Sequence, residues 1–143
     1  MNTMDENSME SLNIILDDLQ DMQLSIGLFE INSNVKTPNL TLSHKINRLK
    51  DDEILNNDLI ISIGGDGTML QSAKLAHTFN IPITGINKGR LGFLTDINPD
   101  HAGEVIKHII NGQYGEENRL LIKATVNKDR QNQIIGYGLN DVA

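Results

Sequence analysis

The sequence contains no cysteine and no tryptophan among its 143 residues. Without cysteine the chain can form neither disulfides nor thiolate metal sites, and it has no cysteine nucleophile. A chain of this length buries roughly two thirds of the surface that its unfolded form exposes, so it can fold without such cross-links. The absence of cysteine favours an intracellular protein.

Positive charge and aromatic side chains are also scarce. The chain has 12 Lys and Arg against 19 Asp and Glu, a net charge of −7, and only three Phe and two Tyr. Nucleic-acid binding relies on basic surfaces and on aromatic faces for base stacking, so we expect no nucleic-acid partner. An anionic ligand would have to be held by backbone N–H groups, a few local cations or a metal ion.

Long apolar runs and a basic N-terminal targeting segment are missing as well. The longest apolar runs, such as 59–61, are only a few residues, whereas a membrane span needs about 20. Residues 1–21 carry several acidic side chains and no Lys or Arg, the opposite of a targeting peptide. We therefore expect a cytoplasmic protein with no membrane partner.

Apolar periodicity predicts that helices and strands alternate along most of the chain. Helical spacing is found over 9–22, 42–49, 69–76 and 102–110, and strand patterns over 24–31, 58–63 and 81–86. Alternation of this kind predicts an α/β fold, a Rossmann-like parallel sheet with helices on both faces. Because such a unit normally opens on a strand and this one opens on a helix, we expect the sheet to lack its first strand.

Three local signals predict where elements begin, end or turn. Thr68 with Gln71 reads as a capping box at the start of the second clear helix. Asn98 followed by Pro99 predicts the start of a later helix, which Gly112 ends. After Arg119 the apolar period changes to two, with residues 127–132 polar, so a β-hairpin is expected to close the chain.

The strongest chemical feature is Gly64-Gly65-Asp66-Gly67-Thr68, where a buried strand meets a helix. Glycines there let backbone N–H groups approach an oxyanion, and the helix N-terminus favours negative charge, so phosphate is the natural ligand. The carboxylate of Asp66 would repel phosphate unless it binds a metal ion or accepts a proton from a hydroxyl. A tight turn in which Asp66 merely caps the helix is the alternative.

Two further segments carry polar groups, while the commoner phosphate motifs are missing. There is no Walker motif, and Leu70 stands where the dinucleotide fingerprint requires a third glycine.

Lys88 and Arg90 lie among glycines just after a predicted strand, where α/β sheets bind ligands. Asn140 and Asp141, near the C-terminus, have side chains suited to ribose hydroxyls or a purine edge. Alone, each segment also fits an ordinary loop or a solvated pair.

Taken together and in this order, the three motifs resemble the NAD kinase family. Its diphosphate-binding motif corresponds to Gly64–Thr68, its Gly-Ile-Asn-x-Gly-x-Leu-Gly-Phe-Leu-Thr segment to residues 85–95, and its Asn-Glu/Asp motif to Asn140-Asp141. Lipid kinases and phosphofructokinases share the first motif, whereas the second is specific. The resemblance extends from about Met9 to Ala143 and covers only the front and middle of a family member.

The resemblance implies transfer of the ATP γ-phosphate to the adenosine ribose 2′-hydroxyl of NAD, giving NADP. It also implies a divalent cation, Mg²⁺. Asp66 would be catalytic, taking the proton of that hydroxyl, and Asn140 and Asp141 would hold the adenosine. The nucleotide-binding set would comprise Gly64, Gly65, Asp66, Gly67, Thr68, Asn140 and Asp141. Intact family members continue into a β-rich C-terminal domain that supplies NAD contacts and much of a homo-oligomer interface.

This comparison gives a division into three parts. Residues 1–8 are expected to be a disordered polar leader, 9–117 an α/β nucleotide-binding domain, and 118–143 the opening hairpin of a truncated β-rich domain. We expect the chain on its own to be poorly active and marginally stable. Two alternatives stay open: a lipid kinase of the diacylglycerol or sphingosine type, and an inactive nucleotide-binding fragment that needs a partner chain.

Overall fold

A computed structural model describes residues 6–29, 31, 46–87, 92, 94–95, 97–128 and 131–139. The chain divides into two compact units, with the boundary between Gln113 and Tyr114. Helices and parallel strands alternate in the first unit, and the second contains a β-hairpin. Among the described residues, no helix has the length and apolar character needed to cross a bilayer.

The first unit confirms the predicted α/β alternation. Its helices are α1 (Glu6–Asp18), α2 (Asp66–Phe79) and α3 (Ala102–Ile110), and its strands are β1 (Ile26–Leu28), β2 (Ile46–Arg48), β3 (Ile60–Ile63) and β4 (Ile83–Ile86). Two short 3₁₀ segments, Asp51–Asn56 and Pro99–His101, precede β3 and α3. The order of the described elements starts with α1.

The strands of the first unit pair in parallel. β3 and β4 run in register from Ile60 opposite Ile83 to Ile63 opposite Ile86, and Ile86 also bridges Ile97 in parallel. β1 pairs in parallel with β2, and in the described part of the chain these two strands form a separate two-stranded sheet. The parallel pairing is as the sequence predicted.

Helices cover both faces of the β3–β4 pair. On one face, α1 and α3 pack over the strands in an apolar core whose buried members are Ile15, Leu19, Ile86, Ala102 and Ile106, with Ile61 and Ile63 against it. On the other face, α2 lies close enough for Ser72 to hydrogen-bond Ser62. This three-layer arrangement directs the C-terminal ends of β3 and β4 toward the glycine-rich turn.

The prediction of a helix over 42–49 is wrong for the residues that the structure describes. Ile46–Arg48 is strand β2, and the pairing continues beyond it because Leu49 N–H donates to Leu28 O at 2.9 Å. The Leu49 side chain also packs over the α-carbon of Gly27. Pairing with β1 therefore outweighs the local helical spacing, as tertiary context often does in short segments. Residues 42–45 lie outside the described part.

Two helix starts differ from the sequence prediction. α1 begins at Glu6 and ends at Asp18, rather than extending over 9–22. The capping box at Thr68 is wrong, because α2 begins at Asp66 and Gly65 occupies the N-cap position with an extended backbone. Met69 N–H donates to Gly65 O at 3.0 Å, which places Thr68 inside the first turn.

The start and end of the α3 region are confirmed. The Asn98 side chain accepts a hydrogen bond from Asp100 N–H at 3.0 Å, and Pro99 is the first residue of the 3₁₀ turn that leads into α3. Gly112 follows the helix with φ of +74°, a left-handed conformation that glycine adopts without strain.

The second unit confirms the predicted hairpin. β5 (Leu121–Lys128) and β6 (Gln131–Leu139) are antiparallel, with Leu121 opposite Leu139 and an irregularity between Ala124 and Thr125. The strands extend into the polar residues that the sequence placed in the connecting loop, so the hairpin is longer than predicted.

Candidate active site

The glycine-rich turn connects the C-terminal end of β3 to the start of α2. Gly64 N–H donates to Ile86 O at 2.9 Å and so extends the β3–β4 ladder by one residue. Gly65 then caps α2, and Asp66 is its first residue. Because the first amides of a helix have no acceptor within it, the backbone N–H groups of Gly67 and Thr68 make no hydrogen bond inside α2, an arrangement that suits an anion.

The three glycines of this turn have different structural roles. A Cβ on Gly64 would lie 2.5 Å from Oγ1 of Thr68, so the fold itself requires glycine there. Among the described residues, a Cβ on Gly65 or Gly67 would meet nothing within 4 Å, and neither residue has a positive φ. The space beside Gly65 and Gly67 is thus open, and the described packing does not require glycine at either position.

Asp66 is held by a segment that follows β4. Leu94 N–H donates to Oδ1 of Asp66 at 3.1 Å in a partly buried contact. The same carboxylate lies against Gly92, since a Cβ on Gly92 would overlap Oδ1 and would lie 3.1 Å from Cγ of Asp66. The first two predicted motifs therefore meet at this carboxylate.

Thr95 anchors this segment against β4. Its side chain is 0% exposed, and its methyl group lies 2.8 Å from the position of a Cβ on Gly85. Gly92 N–H donates to Thr95 O at 3.3 Å. Among the described residues, Oγ1 of Thr95 is a buried side-chain oxygen without a hydrogen-bond partner, and it faces Gly92.

The predicted site residues are thus partly assembled. Gly64, Gly65, Asp66, Gly67 and Thr68 lie together at the turn. Asn140 and Asp141, and the cations Lys88 and Arg90, lie outside the described residues, so their placement at this site stays a prediction. The described part contains no group of three or more His, Asp or Glu side chains able to hold a metal ion.

Sequence reasoning missed the individual roles of Gly92 and Leu94. It singled out the segment 85–95 for its cations and glycines, at a position where α/β sheets bind ligands. Leu94 acts through its backbone amide, which every residue except proline possesses, so its side chain gave no signal. The glycine at position 92 was a usable signal, because glycine in a loop often marks a close approach by another group.

Comparison with known proteins identifies the family. A sequence model of the ATP-NAD kinase N-terminal domain matches residues 11–114. The chain belongs to the ATP-NAD kinase family. The matched range includes the glycine-rich turn and the segment that holds Asp66.

Bacterial members of the ATP-NAD kinase family are similar to this chain in sequence. An NAD kinase of Pseudomonas entomophila (strain L48) is 49% identical over 87 residues, which are 59% of this chain and 29% of that protein. An NAD kinase of Cellvibrio japonicus (strain Ueda107) is 32% identical over 117 residues, 80% of this chain and 39% of that protein. The chain therefore spans about a third of the length of these relatives.

A solved structure shares the fold. Yeast NADH kinase, whose crystal structure was determined in complex with NADH, superposes with a TM-score of 0.70 at 20% sequence identity. The superposition covers 96% of this chain and 44% of the yeast chain.

Proposed function

We propose that this chain supplies the phosphate-binding turn and the catalytic base of an NAD kinase. The reaction transfers the γ-phosphate of ATP to the adenosine ribose 2′-hydroxyl of NAD and gives NADP. The observation that carries the proposal is the placement of the Asp66 carboxylate at the start of α2. Its Oδ1 accepts a hydrogen bond from Leu94 N–H at 3.1 Å, and the space beside Gly65 and Gly67 is open among the described residues. A carboxylate among phosphate-binding amides has a chemical use when a hydroxyl must lose its proton.

The proposed chemistry is a direct displacement at phosphorus. The 2′-oxygen of the ribose attacks the γ-phosphorus, the bond from that phosphorus to its bridging oxygen breaks, and ADP leaves. The proton of the 2′-hydroxyl passes to the carboxylate of Asp66. Phosphoryl transfer requires mainly positioning and charge compensation from the protein. The fixed carboxylate of Asp66 positions the attacking hydroxyl.

The remaining site residues take binding roles in this proposal. The amides at the start of α2, with Gly64, Gly65, Gly67 and Thr68, face the phosphates of ATP or of another phosphoryl donor. Asn140 and Asp141 hold the adenosine of NAD. The first role is supported by the open space beside Gly65 and Gly67, which lets phosphate oxygens approach the backbone closely.

The donor groups at the turn fit a cation that arrives with the nucleotide. Mg²⁺ is usually held through one or two carboxylates together with substrate phosphates and water. The turn offers the carboxylate of Asp66, and in the described part of the chain no three metal-binding side chains converge. We therefore propose that Mg²⁺ binds the phosphates of ATP, where it neutralises their charge.

The greater length of the relatives supports a proposal for the domain organisation. We propose that residues 9–117 form the nucleotide-binding domain and that 118–143 open a β-rich domain. Because the relatives extend well beyond the aligned region, we propose that this domain supplies further NAD contacts and the interface of a homo-oligomer. The cytoplasm, where NAD and ATP are available, is the proposed location.

Product identification tests this function. The complete gene product is incubated with NAD, ATP and Mg²⁺, and the nucleotides are separated by chromatography and identified by mass. We expect NADP and ADP in equal amounts. A phosphorylated lipid without NADP would favour the lipid-kinase alternative, and binding of NAD and ATP without turnover would favour the inactive fragment.

A further inference from the structure

We propose that Gly92, Leu94 and Thr95 form a positioning loop that fixes the orientation of the Asp66 carboxylate. The three residues are positioning residues, because they act on the reaction through Asp66. The inference rests on the proposed function for the use of Asp66 as a base. The contacts that define the loop are independent of that function.

Leu94 contributes through its backbone. Its N–H donates to Oδ1 of Asp66 at 3.1 Å, across 28 positions of sequence. A hydrogen bond from an amide to a carboxylate is charge-assisted and stronger than one between neutral groups. It restricts rotation of the carboxylate about its Cβ–Cγ bond, so that both carboxylate oxygens take defined directions.

Gly92 contributes by having no side chain. A Cβ at this position would overlap Oδ1 of Asp66 and approach its Cγ to 3.1 Å. The carboxylate of Asp66 therefore packs directly against the α-carbon of Gly92. Any side chain here would have to displace either the carboxylate or the loop.

Thr95 anchors the loop, and its hydroxyl lies next to Gly92. Its methyl group packs against Gly85 of β4, and its carbonyl accepts from Gly92 N–H at 3.3 Å. Its Oγ1, buried and without a partner among the described residues, lies 3.1 Å from the position that a Cβ on Gly92 would occupy. The carboxylate of Asp66 borders that same position.

A buried hydroxyl without a hydrogen-bond partner destabilises the protein. We therefore infer that the Thr95 hydroxyl finds a partner when substrate is bound. The Asp66 carboxylate, which borders the same position next to Gly92, is a hydrogen-bond acceptor. In the substrate complex, the Thr95 hydroxyl donates a hydrogen bond to this carboxylate and completes its orientation. Loss of the hydroxyl therefore lowers turnover without weakening the fold.

A thermal-stability cycle tests the contact between Gly92 and Asp66 without any assay of activity. In the complete gene product, we expect Gly92→Ala to lower the melting temperature by about 3–8 °C, because the added methyl group collides with the carboxylate. In an Asp66→Ala background the same change should cost less than half as much, since the colliding atoms are gone. Equal losses in the two backgrounds would overturn the positioning loop.

Gly115→Ala is the matched control for this cycle. A Cβ on Gly115 would meet nothing within 4 Å in the part of the chain that the structure describes, so the change should leave both melting temperature and turnover as they are. Gly92→Ala should lower kcat about 10- to 100-fold while KM for NAD changes less than about threefold, because the base is misplaced and substrate contacts remain. A rise in KM at constant kcat would contradict the proposal.

Two variants of Thr95 separate its hydroxyl from its packing. Thr95→Val keeps the shape and removes the hydroxyl, and Thr95→Ser keeps the hydroxyl and removes the methyl group. We expect Val to melt at least as high as the wild type with kcat lowered about tenfold, and Ser to melt lower with kcat largely retained. Stability and turnover should thus rank the two variants in opposite order. The same rank in both measurements would overturn the role of the hydroxyl.

The failure of the inference can be told from the failure of the proposed function. Wild-type protein that forms no NADP refutes the function, whatever the variants do. In that case the thermal-stability cycle still tests the contact between Gly92 and Asp66. Wild-type protein that forms NADP, with Gly92→Ala and Thr95→Val equally active, refutes the positioning loop alone.

Discussion

The hydroxyl groups of Ser62 and Ser72 are joined by a 3.0 Å hydrogen bond in the buried contact between β3 and α2. Ser62 precedes the glycine-rich turn and Ser72 follows it, and each residue is only 3% exposed. The bond therefore connects the two elements that support the turn. Its loss should loosen the turn without touching any group that we place in contact with substrate.

Replacing Ser72 by alanine tests this connection. We expect Ser72→Ala to lower the free energy of unfolding by about 1–2 kcal/mol, because the change removes the buried bond to Ser62. The double variant Ser62→Ala/Ser72→Ala should cost less than the sum of the two single changes. Denaturant unfolding of the complete gene product measures all three.

Thr78→Ala serves as the control for that experiment. The Thr78 hydroxyl donates to Lys74 O at 2.8 Å on the exposed side of α2. Its removal should change the free energy of unfolding by no more than about 0.5 kcal/mol. Equal losses for Thr78→Ala and Ser72→Ala would show that burial adds nothing to the bond between the two serines.

Asp66→Asn tests the proposed catalytic base. The amide has the same shape as the carboxylate, and its oxygen can still accept the hydrogen bond from Leu94 N–H. We expect the protein to fold normally and kcat to fall by roughly 10²–10⁴-fold, the range for loss of a general base. Initial rates of NADP formation, with a thermal melt of the same sample, provide the measurement. Near-normal turnover would leave Asp66 without a catalytic role.

The sequence predicted the features of the fold that depend on local patterns. The alternation of helical and strand periods gave the α/β architecture, and the change to a period of two gave the hairpin of β5 and β6. The position of the glycine-rich turn followed in the same way, because the pattern of β3 stops where the glycines begin. Each of these signals lies within a few residues of the structure that it predicts.

Features that depend on distant contacts could not be predicted. Ile46–Arg48 has helical spacing around it, yet it forms a strand because β1 provides backbone partners. The hydrogen bond from Leu94 to Asp66 joins residues 28 positions apart and uses an amide that carries no side-chain signature. The N-cap was misplaced at Thr68 because an extended glycine can take that position without any side-chain oxygen.

Gly64 and Gly67 should respond differently to alanine. We expect Gly64→Ala to lower the melting temperature, because its methyl group would collide with the Thr68 side chain. Gly67→Ala should melt as high as the wild type or higher, because its surroundings are open and alanine favours the helix. It should nevertheless weaken ATP binding, since the methyl group fills space that we assign to phosphate.

Calorimetric titration of ATP, beside thermal melts of both variants, checks this pair. The informative result is the combination of unimpaired stability and weakened binding in Gly67→Ala. An unchanged Kd for ATP in that variant would show that the phosphates do not approach the start of α2.

Chelation and readdition of the metal test where the cation binds. We expect EDTA to abolish NADP formation and Mg²⁺ to restore it, because the phosphates of ATP need their charge neutralised. Mg²⁺ is usually held by one or two carboxylates together with substrate phosphates and water, and the turn offers the carboxylate of Asp66, so we propose that the cation binds on the nucleotide. The Mg²⁺ concentration needed for half-maximal turnover should then rise with the ATP concentration, as expected for MgATP as the substrate.

Titration of Mg²⁺ into the nucleotide-free protein should give no saturable heat. Stoichiometric binding without nucleotide, with a metal requirement that is independent of ATP, would instead indicate a metal site built by the protein itself.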